Sequence, residues 1–433
     1  MKNVKAVFDI GKTNKKFLLF DKDYNVVHQK STEFDEIEDE DGFACEDVDT
    51  LVEWIENTLV EAIKRPEFDI KSVNFTTYGA TLVYLDEKGQ RVTPVYNYLK
   101  PVDEKIFDEF YEKYEGQEEF CRKTASPALG MLNSGLQMYW MKKEKPDYWQ
   151  KVKHILHFPQ YLSYLFTGNI VSEYTSIGCH TGMWNYDEME YHSWLSEEGI
   201  SLPEPIDNST QYSVDLKGKE IGVGIGIHDS SASLVPFLKQ EDEEFILISS
   251  GTWAINLNPF NSTNLTKEQL DNDCLCYLSI DQEQVKASRL FMGHIHDKSI
   301  EVMNDYFDES KDKYKHIEAD SELIDSKLES QKLQFFKDER PTENYLSEND
   351  LDEFDSFKTA YHQLMYELSY WEAEQINRVI ENDQKPQKIY ISGGFVNNDL
   401  FVEYIKRIFE DIIIQLSEID NGTALGAAMV LDD

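Results

Sequence analysis

Three times in this chain an apolar run breaks at a glycine flanked by small hydroxyl or amide side chains. The three are Asp9-Ile10-Gly11-Lys12-Thr13-Asn14, Ser249-Ser250-Gly251-Thr252 and Ser392-Gly393-Gly394-Phe395-Val396-Asn397. A strand that ends in such a turn exposes backbone N–H groups, and a glycine without a side chain lets a phosphate come close. His228-Asp229-Ser230-Ser231 adds an isolated acid among small residues. Two phosphate-cradling hairpins facing each other, a glycine pair against a nucleoside and one acid facing a hydroxyl would make a phosphotransfer cleft. Each piece alone has a plainer reading: Asp9 in an Asx-turn, Asp229 as a turn cap, His228 as a packed or solvated histidine.

The elements that must hold these residues follow from periodicity. Val4-Lys5-Ala6-Val7-Phe8 reads as a buried strand, and Phe17-Leu18-Leu19-Phe20 follows the first turn at once. That makes a β-hairpin, unlike a P-loop, where a helix follows the glycines. Glu33 to Asp49 is acidic and reads as a solvated loop with a short strand. Leu51, Ile55, Leu59 and Ala62 recur at helical spacing over Thr50 to Arg65, with Asp47 or Asp49 as cap and Pro66 as breaker. Ile70 to Thr77 and Leu82 to Leu85 read as strands, Asp103 as the cap of a helix, and Ser134 to Lys143 and Pro159 to Phe166 as further helices. Strands resume near Ile221, at Phe245 to Ser249 and at Trp253 to Leu257. Asn304 to Asp355 is polar and charge-dense, an excursion with little core. Phe357 to Asn382 is an amphipathic helix, Lys388 to Ser392 a strand, and Asp399 to Phe409 and Gly422 to Leu431 close the chain as helices. Hairpins followed by helices occur in both halves, which points to a pseudo-duplicated α/β protein.

A chain of 433 residues implies two domains, and an apolar fraction of 41% excludes global disorder. The formal charge of −40 argues against binding nucleic acid or an anionic membrane, both of which need excess Lys and Arg. Met1-Lys2-Asn3-Val4 lacks a signal-like apolar stretch, no run approaches a membrane span, and the five irregular cysteines suit reduced core thiols. The expected location is the cytoplasm.

The order and spacing of the turns resemble the FGGY family of carbohydrate kinases within the actin-like ATPase superfamily. The resemblance covers nearly the whole chain. It includes Thr76-Thr77-Tyr78-Gly79, Leu165-Phe166-Thr167-Gly168, Gly393-Gly394-x-x-Asn397-x-x-Leu400 and Thr423-Ala424-Leu425-Gly426-Ala427-Ala428. It implies an α/β fold of two actin-like (ribonuclease H-like) domains, each a mixed sheet flanked by helices, meeting at a cleft. The expected division is residues 1–221 and 222–433. Within the family, His228-Asp229-Ser230 and Gly251-Thr252-Trp253 look most like rhamnulokinases and fuculokinases.

By that resemblance Asp229 is the general base that takes a proton from the sugar hydroxyl, and Asp9 holds Mg2+ through water. Lys12, Thr13, Asn14, Lys15 and Lys16 form the first phosphate hairpin, with Lys16 in the usual basic position and Lys12 where relatives carry a small residue. Gly251 and Thr252 form the second hairpin, and Gly393, Gly394 and Asn397 the adenosine side. Thr77, Tyr78, Gly79, His228 and Ser230 are the sugar contacts. Arg289 to Gly293 lacks the polar residues expected of a nucleotide contact and is assigned no site. Trp184, Trp194 and Tyr161 read as core. The implied ligands are ATP, Mg2+ and a ketose, L-rhamnulose first, then L-fuculose, then xylulose or ribulose, in a monomer or homodimer. A rival of another class is an actin-like ATPase with an assembly or chaperone role.

Overall fold

The computed structural model describes all residues except 242, 338, 342–350, 382–384 and 433. Its first sheet begins with an antiparallel meander: β1 (Lys2–Ile10), β2 (Lys15–Phe20) and β3 (Val26–Thr32). The strands β4 (Phe68–Thr77), β5 (Gln211–Leu216), β6 (Lys219–Gly224) and the short β7 (Ile227–His228) follow. The order across the sheet is β5-β6-β4-β1-β2-β3, and β7 takes up pairing with β4 where β6 leaves off.

The apolar residues of β1 and β2 explain the layers. Ala6, Phe8, Ile10, Phe17 and Leu19 join one core with α1 (Val48–Ile63) and α2 (Phe158–Thr167). Val7, Leu18 and Phe20 alternate to the other face, where they meet Ala232 and Val235 of α3 (Asp229–Gln240). A strand buried on both faces needs a helix layer on each, and its sequence is nearly continuously apolar for that reason.

The second sheet comprises β8 (Phe245–Ser250), β9 (Ala254–Asn258), β10 (Cys274–Leu278), β11 (Gln284–Leu290), β12 (Lys388–Gly393) and β13 (Ile413–Leu416). Its order is β10-β11-β9-β8-β12-β13. As in the first sheet, an antiparallel hairpin is continued by a parallel strand, so the expected pseudo-duplication is present. Helices α4 (Met292–Phe307), α5 (Phe357–Val379) and α6 (Asp399–Ile408) enclose its core. The final helix α7 (Gly422–Met429) returns to the first sheet, where Ala424, Ala427 and Ala428 pack with Val7 and Leu18.

Three expectations change. A division between 221 and 222 would cut β6, whose Ile221 and Val223 are buried in the first sheet's core. The crossings of α3 and α7 tie the two units together beyond any single boundary. The acidic stretch after Glu33 is only partly solvated: Asp39 is buried against the Lys100 ammonium at 2.5 Å, because a carboxylate leaving water needs a cation and hydrogen bonds. The stretch from Asn304 to Asp355 carries core after all, since Ile324, Phe335, Phe336 and Leu351 are buried. The buried Glu367 carboxylate accepts from the backbone N–H groups of Phe335 and Phe336 at 2.6 and 2.8 Å. Local charge density hid those four side chains.

The capping and core readings hold. Asp47 caps α1 by accepting from the Thr50 N–H at 3.1 Å, and Asp103 caps the helix Glu104–Lys113. Trp184, Trp194 and Tyr161 are buried. No helix of the described residues is long and apolar enough to cross a membrane.

Candidate active site

Sheet pairing gathers the acids. Asp9 on β1 is in register with Thr76 on β4, and Thr76 with Ile227 on β7. Asp229 follows β7 by one residue and begins α3. Three neighbouring parallel strands therefore end together, carrying Asp9, Thr77 and the His228-Asp229 pair, the end at which open α/β sheets bind ligands.

Asp229 keeps 34% of its side chain exposed. Its Oδ1 accepts from the Ser230 N–H at 2.6 Å and the Ser230 hydroxyl at 3.3 Å, and lies 3.2 Å from His228 Nε2. Burial pushes the Asp229 carboxyl up to about 6, against the pull of the Ser230 hydrogen bonds. Burial holds His228 neutral, lowered to about 3, so it stands beside Asp229 as an uncharged ring rather than a counter-charge. An acid in that range is ionised at pH 7 and still a competent proton acceptor. Asp9 is also raised to about 6, first by burial, with Lys16 lowering it and the Asp229 charge raising it.

The two hairpin tips close alike: the Gly11 N–H donates to the Asn14 carbonyl at 3.0 Å, and the Gly251 N–H to the Trp253 carbonyl at 2.8 Å. Thr13, Asn14, Gly251 and Thr252 stand exposed at the tips. The three lysines of the first hairpin differ in what they do. Lys16 Nζ donates to Asn421 Oδ1 at 3.3 Å, linking that hairpin to the turn before α7. Lys12 Nζ meets Glu36 Oε1 at 2.5 Å and lies 5.8 Å from the Tyr78 ring centre. Lys15 departs from expectation as a phosphate ligand. It is buried, paired with Glu46 at 3.0 Å and bonded to the Lys12 carbonyl at 2.8 Å, so it braces the hairpin from behind. Strand alternation turns neighbouring lysines to opposite faces.

Two expected sugar contacts are likewise committed to the protein. The Thr77 hydroxyl donates to the Tyr78 carbonyl at 3.0 Å, and the Tyr78 hydroxyl to Glu46 Oε2 at 3.0 Å. Gly79, His228 and Ser230 remain beside the base; a side chain at Gly79 would stand 2.9 Å from His228 Nε2.

Gly394 and Asn397, expected on the adenosine side, line a cavity of ≈ 520 Å³ together with Gly251 and Thr252 of the second hairpin, whereas Gly393 is not part of its wall. Its other walls come from Gly293, His296 and Asp297 on α4, and from Tyr314, Lys315 and Tyr361. Gly293 belongs to the segment Arg289 to Gly293, which lacks the polar side chains expected of a nucleotide contact. What brings it in is backbone: the Gly293 and His294 N–H groups both donate to the Thr252 carbonyl, at 3.1 and 3.2 Å. Tyr314 and Lys315 belong to the charge-dense excursion, for which no local signal pointed to a ligand.

A further missed residue is Glu173, wholly buried. It accepts from the Thr175 and Ser176 N–H groups at 2.7 and 2.6 Å, from the Thr175 hydroxyl and from Asn208. The Thr175 hydroxyl oxygen in turn accepts from the His228 N–H at 3.1 Å. Gln160 Nε2 donates to the carbonyls of Ile225 and Gly226 at 3.2 Å. The segment that carries Asp229 is thus clamped by polar groups, since β7 has only two paired residues of its own. Thr175→Val keeps the volume and removes the clamp's hydroxyl. It is expected to lower kcat about tenfold, the worth of one hydrogen bond, with the KM for ATP unchanged. Steady-state kinetics beside a melting curve separate that from simple destabilisation.

Comparison with known proteins agrees with this geometry. Residues 4–202 match the N-terminal domain of the FGGY family of carbohydrate kinases, and residues 242–433 the carbohydrate kinase FGGY C-terminal domain. The chain belongs to the FGGY family. The rhamnulokinase of Halalkalibacterium halodurans is 26% identical over 256 residues, 57% of this chain and 52% of that protein. The rhamnulokinase of Oceanobacillus iheyensis is 25% identical over 228 residues, 50% of this chain and 47% of that protein. These matches span about half the length of the curated relatives. A carbohydrate kinase from Novosphingobium aromaticivorans superposes with a TM-score of 0.82 at 20% identity, covering 100% of this chain and 91% of the other. Ligand-bound xylulose kinase from Lactobacillus acidophilus gives 0.78 at 15%, covering 99% and 89%. At such identities the likeness speaks for the fold, which is the two-domain actin-like architecture of FGGY proteins.

Proposed function

We propose that this FGGY chain is an ATP-dependent sugar kinase that moves the γ-phosphoryl group to a hydroxyl of a ketose, L-rhamnulose before others, giving L-rhamnulose 1-phosphate. The observation that carries the reading is Asp229: a carboxylate one third open, raised to about 6, at the strand ends beside Asp9 of the first glycine hairpin. Asp229 accepts the proton of the attacking hydroxyl as the phosphoryl group arrives in line. Gly251, Thr252, Gly394 and Asn397 hold the nucleotide from the second domain, and Thr13, Asn14 and Lys16 meet its phosphates from the first. Positioning and charge neutralisation supply most of the acceleration in such transfers.

Asp9 suits Mg2+. No cluster of three or more metal-ligating side chains exists among the described residues, and Mg2+ commonly takes one or two carboxylates, substrate phosphates and several waters. A cation there would also offset the repulsion between Asp9 and Asp229. When bound, it supplies charge neutralisation on the phosphate oxygens.

L-Rhamnulose is favoured by the His228-Asp229-Ser230 and Gly251-Thr252-Trp253 segments and by relatives named rhamnulokinase. L-Fuculose is the second choice and a pentulose the third, the last supported by the xylulose kinase likeness. The test is kcat/KM for ATP-dependent phosphorylation of L-rhamnulose, L-fuculose, L-ribulose and D-xylulose, expected to fall in about that order. Full-rate ATP hydrolysis without any sugar, unaffected by Asp229→Asn, would sink the kinase reading in favour of an assembly or chaperone ATPase.

A further inference from the structure

His228 has two ring nitrogens, and only one has a use in the base. Nε2 faces Asp229, while Nδ1 is buried without a partner. Two more buried polar atoms lack partners nearby, His157 Nε2 and Ser176 Oγ. The three residues are 4%, 6% and 3% exposed, and all line one small cavity with Thr77, Gly79 and Cys179. Native proteins rarely leave three polar atoms unpaired in one place unless a ligand or a water answers them. The space is ≈ 10 Å³, by the measure in which one water takes roughly 10–15 Å³.

We infer that this cavity is a site for a single hydroxyl oxygen, held by His157, Ser176 and His228, and that its occupant sets the orientation of the base. As a neutral imidazole His228 leaves Nδ1 one hydrogen bond to give or to accept, and a hydroxyl answers it in either tautomer. The occupant bonds to Nδ1 and exchanges its remaining bonds with His157 Nε2 and the Ser176 hydroxyl. Burial keeps both imidazoles neutral, which suits an uncharged hydroxyl and not an anion. A methyl group would fit the volume and leave all three atoms unpaired. Two sources provide such an oxygen, a resident water or a hydroxyl of the sugar. The catalytic consequence rests on the kinase reading; the occupancy does not.

The experiment has two arms. A high-resolution crystal structure of the wild-type protein, free and with L-rhamnulose, shows oxygen density between the three side chains. Ser176→Ala and His157→Phe lower kcat/KM for L-rhamnulose about tenfold, as loss of one hydrogen bond does, with melting temperature recorded alongside. A resident water gives density without sugar and an equal loss for every ketose, in kcat rather than KM. A sugar hydroxyl gives density only in the complex and a loss confined to the ketoses that carry that hydroxyl, chiefly in KM. Absence of density in both forms, or wild-type kinetics in both variants, overturns the inference. If the wild type phosphorylates no ketose, the kinase reading fails on its own, and the density still decides occupancy.

Discussion

Asp229→Asn is expected to lower sugar-dependent kcat about 10³-fold, within the range that a positioned general base contributes. The neutral amide keeps the shape of the carboxylate but cannot take the proton of the attacking hydroxyl. Folding is expected to hold. The folded-state carboxyl titrates at about 6, above its ordinary value of 3.8, so the native state binds this proton more tightly than the unfolded chain. Its stabilising effect is thus fully present below pH 4 and lost as pH rises through 6. At pH 7 the ionised group is a burden to the fold, and the asparagine variant melts no lower than the wild type. The same value predicts that wild-type kcat/KM for the sugar falls as pH drops below about 6, with Asp9, also near 6, contributing to the descent. A pH–rate profile flat from 5 to 8, or an asparagine variant of full activity, would show that Asp229 is not the base.

The glycine pair is expected to separate fold from nucleotide. Gly393 has φ +85°, and a Cβ there would lie 1.8 Å from the Ser250 carbonyl oxygen. That contact is backbone on backbone, between β8 and β12 in direct register. Gly393→Ala is therefore expected to cost on the order of 3 kcal/mol and to weaken ATP binding with it. Gly394 has nothing within 4 Å of a built Cβ and lines the 520 Å³ cavity. A bulky Gly394→Val is expected to leave the melting temperature within a few degrees and to reduce ATP affinity more than tenfold, by filling space the nucleotide needs. Thermal melts and calorimetric ATP titrations on both variants check the contrast. Equal behaviour of the two would remove the assignment of Gly394 to the nucleotide.

Much of the architecture was legible because strand and turn signals are local. Asp47 and Asp103 were readable as caps, and β1, β2, β8, β9 and β12 lie where the apolar runs put them, within a residue or two. Lys15 shows the complementary limit: nothing in Lys15-Lys16 says which lysine turns inward. That is settled by Glu46, which reaches Lys15 and Tyr78 from another segment. Tyr314 and Lys315 gave no sign of lining the 520 Å³ cavity, since a polar loop looks alike whether it faces water or a ligand.

The residue types and their spacing singled out the opening turn, Asp9 to Asn14, and the segments around Asp229, Gly251 and Gly393 as candidates for phosphotransfer. Taken singly, each is also an ordinary turn or cap. Which of them meet was decided by the fold. Lys16 reaches Asn421 across 405 residues, and the hydroxyl that holds the His228 backbone comes from Thr175, 53 residues away. Such contacts depend on β7 pairing with β4 and on α7 returning beneath β1. That pairing is driven by the burial of both faces of one sheet, a property no single segment of the chain contains.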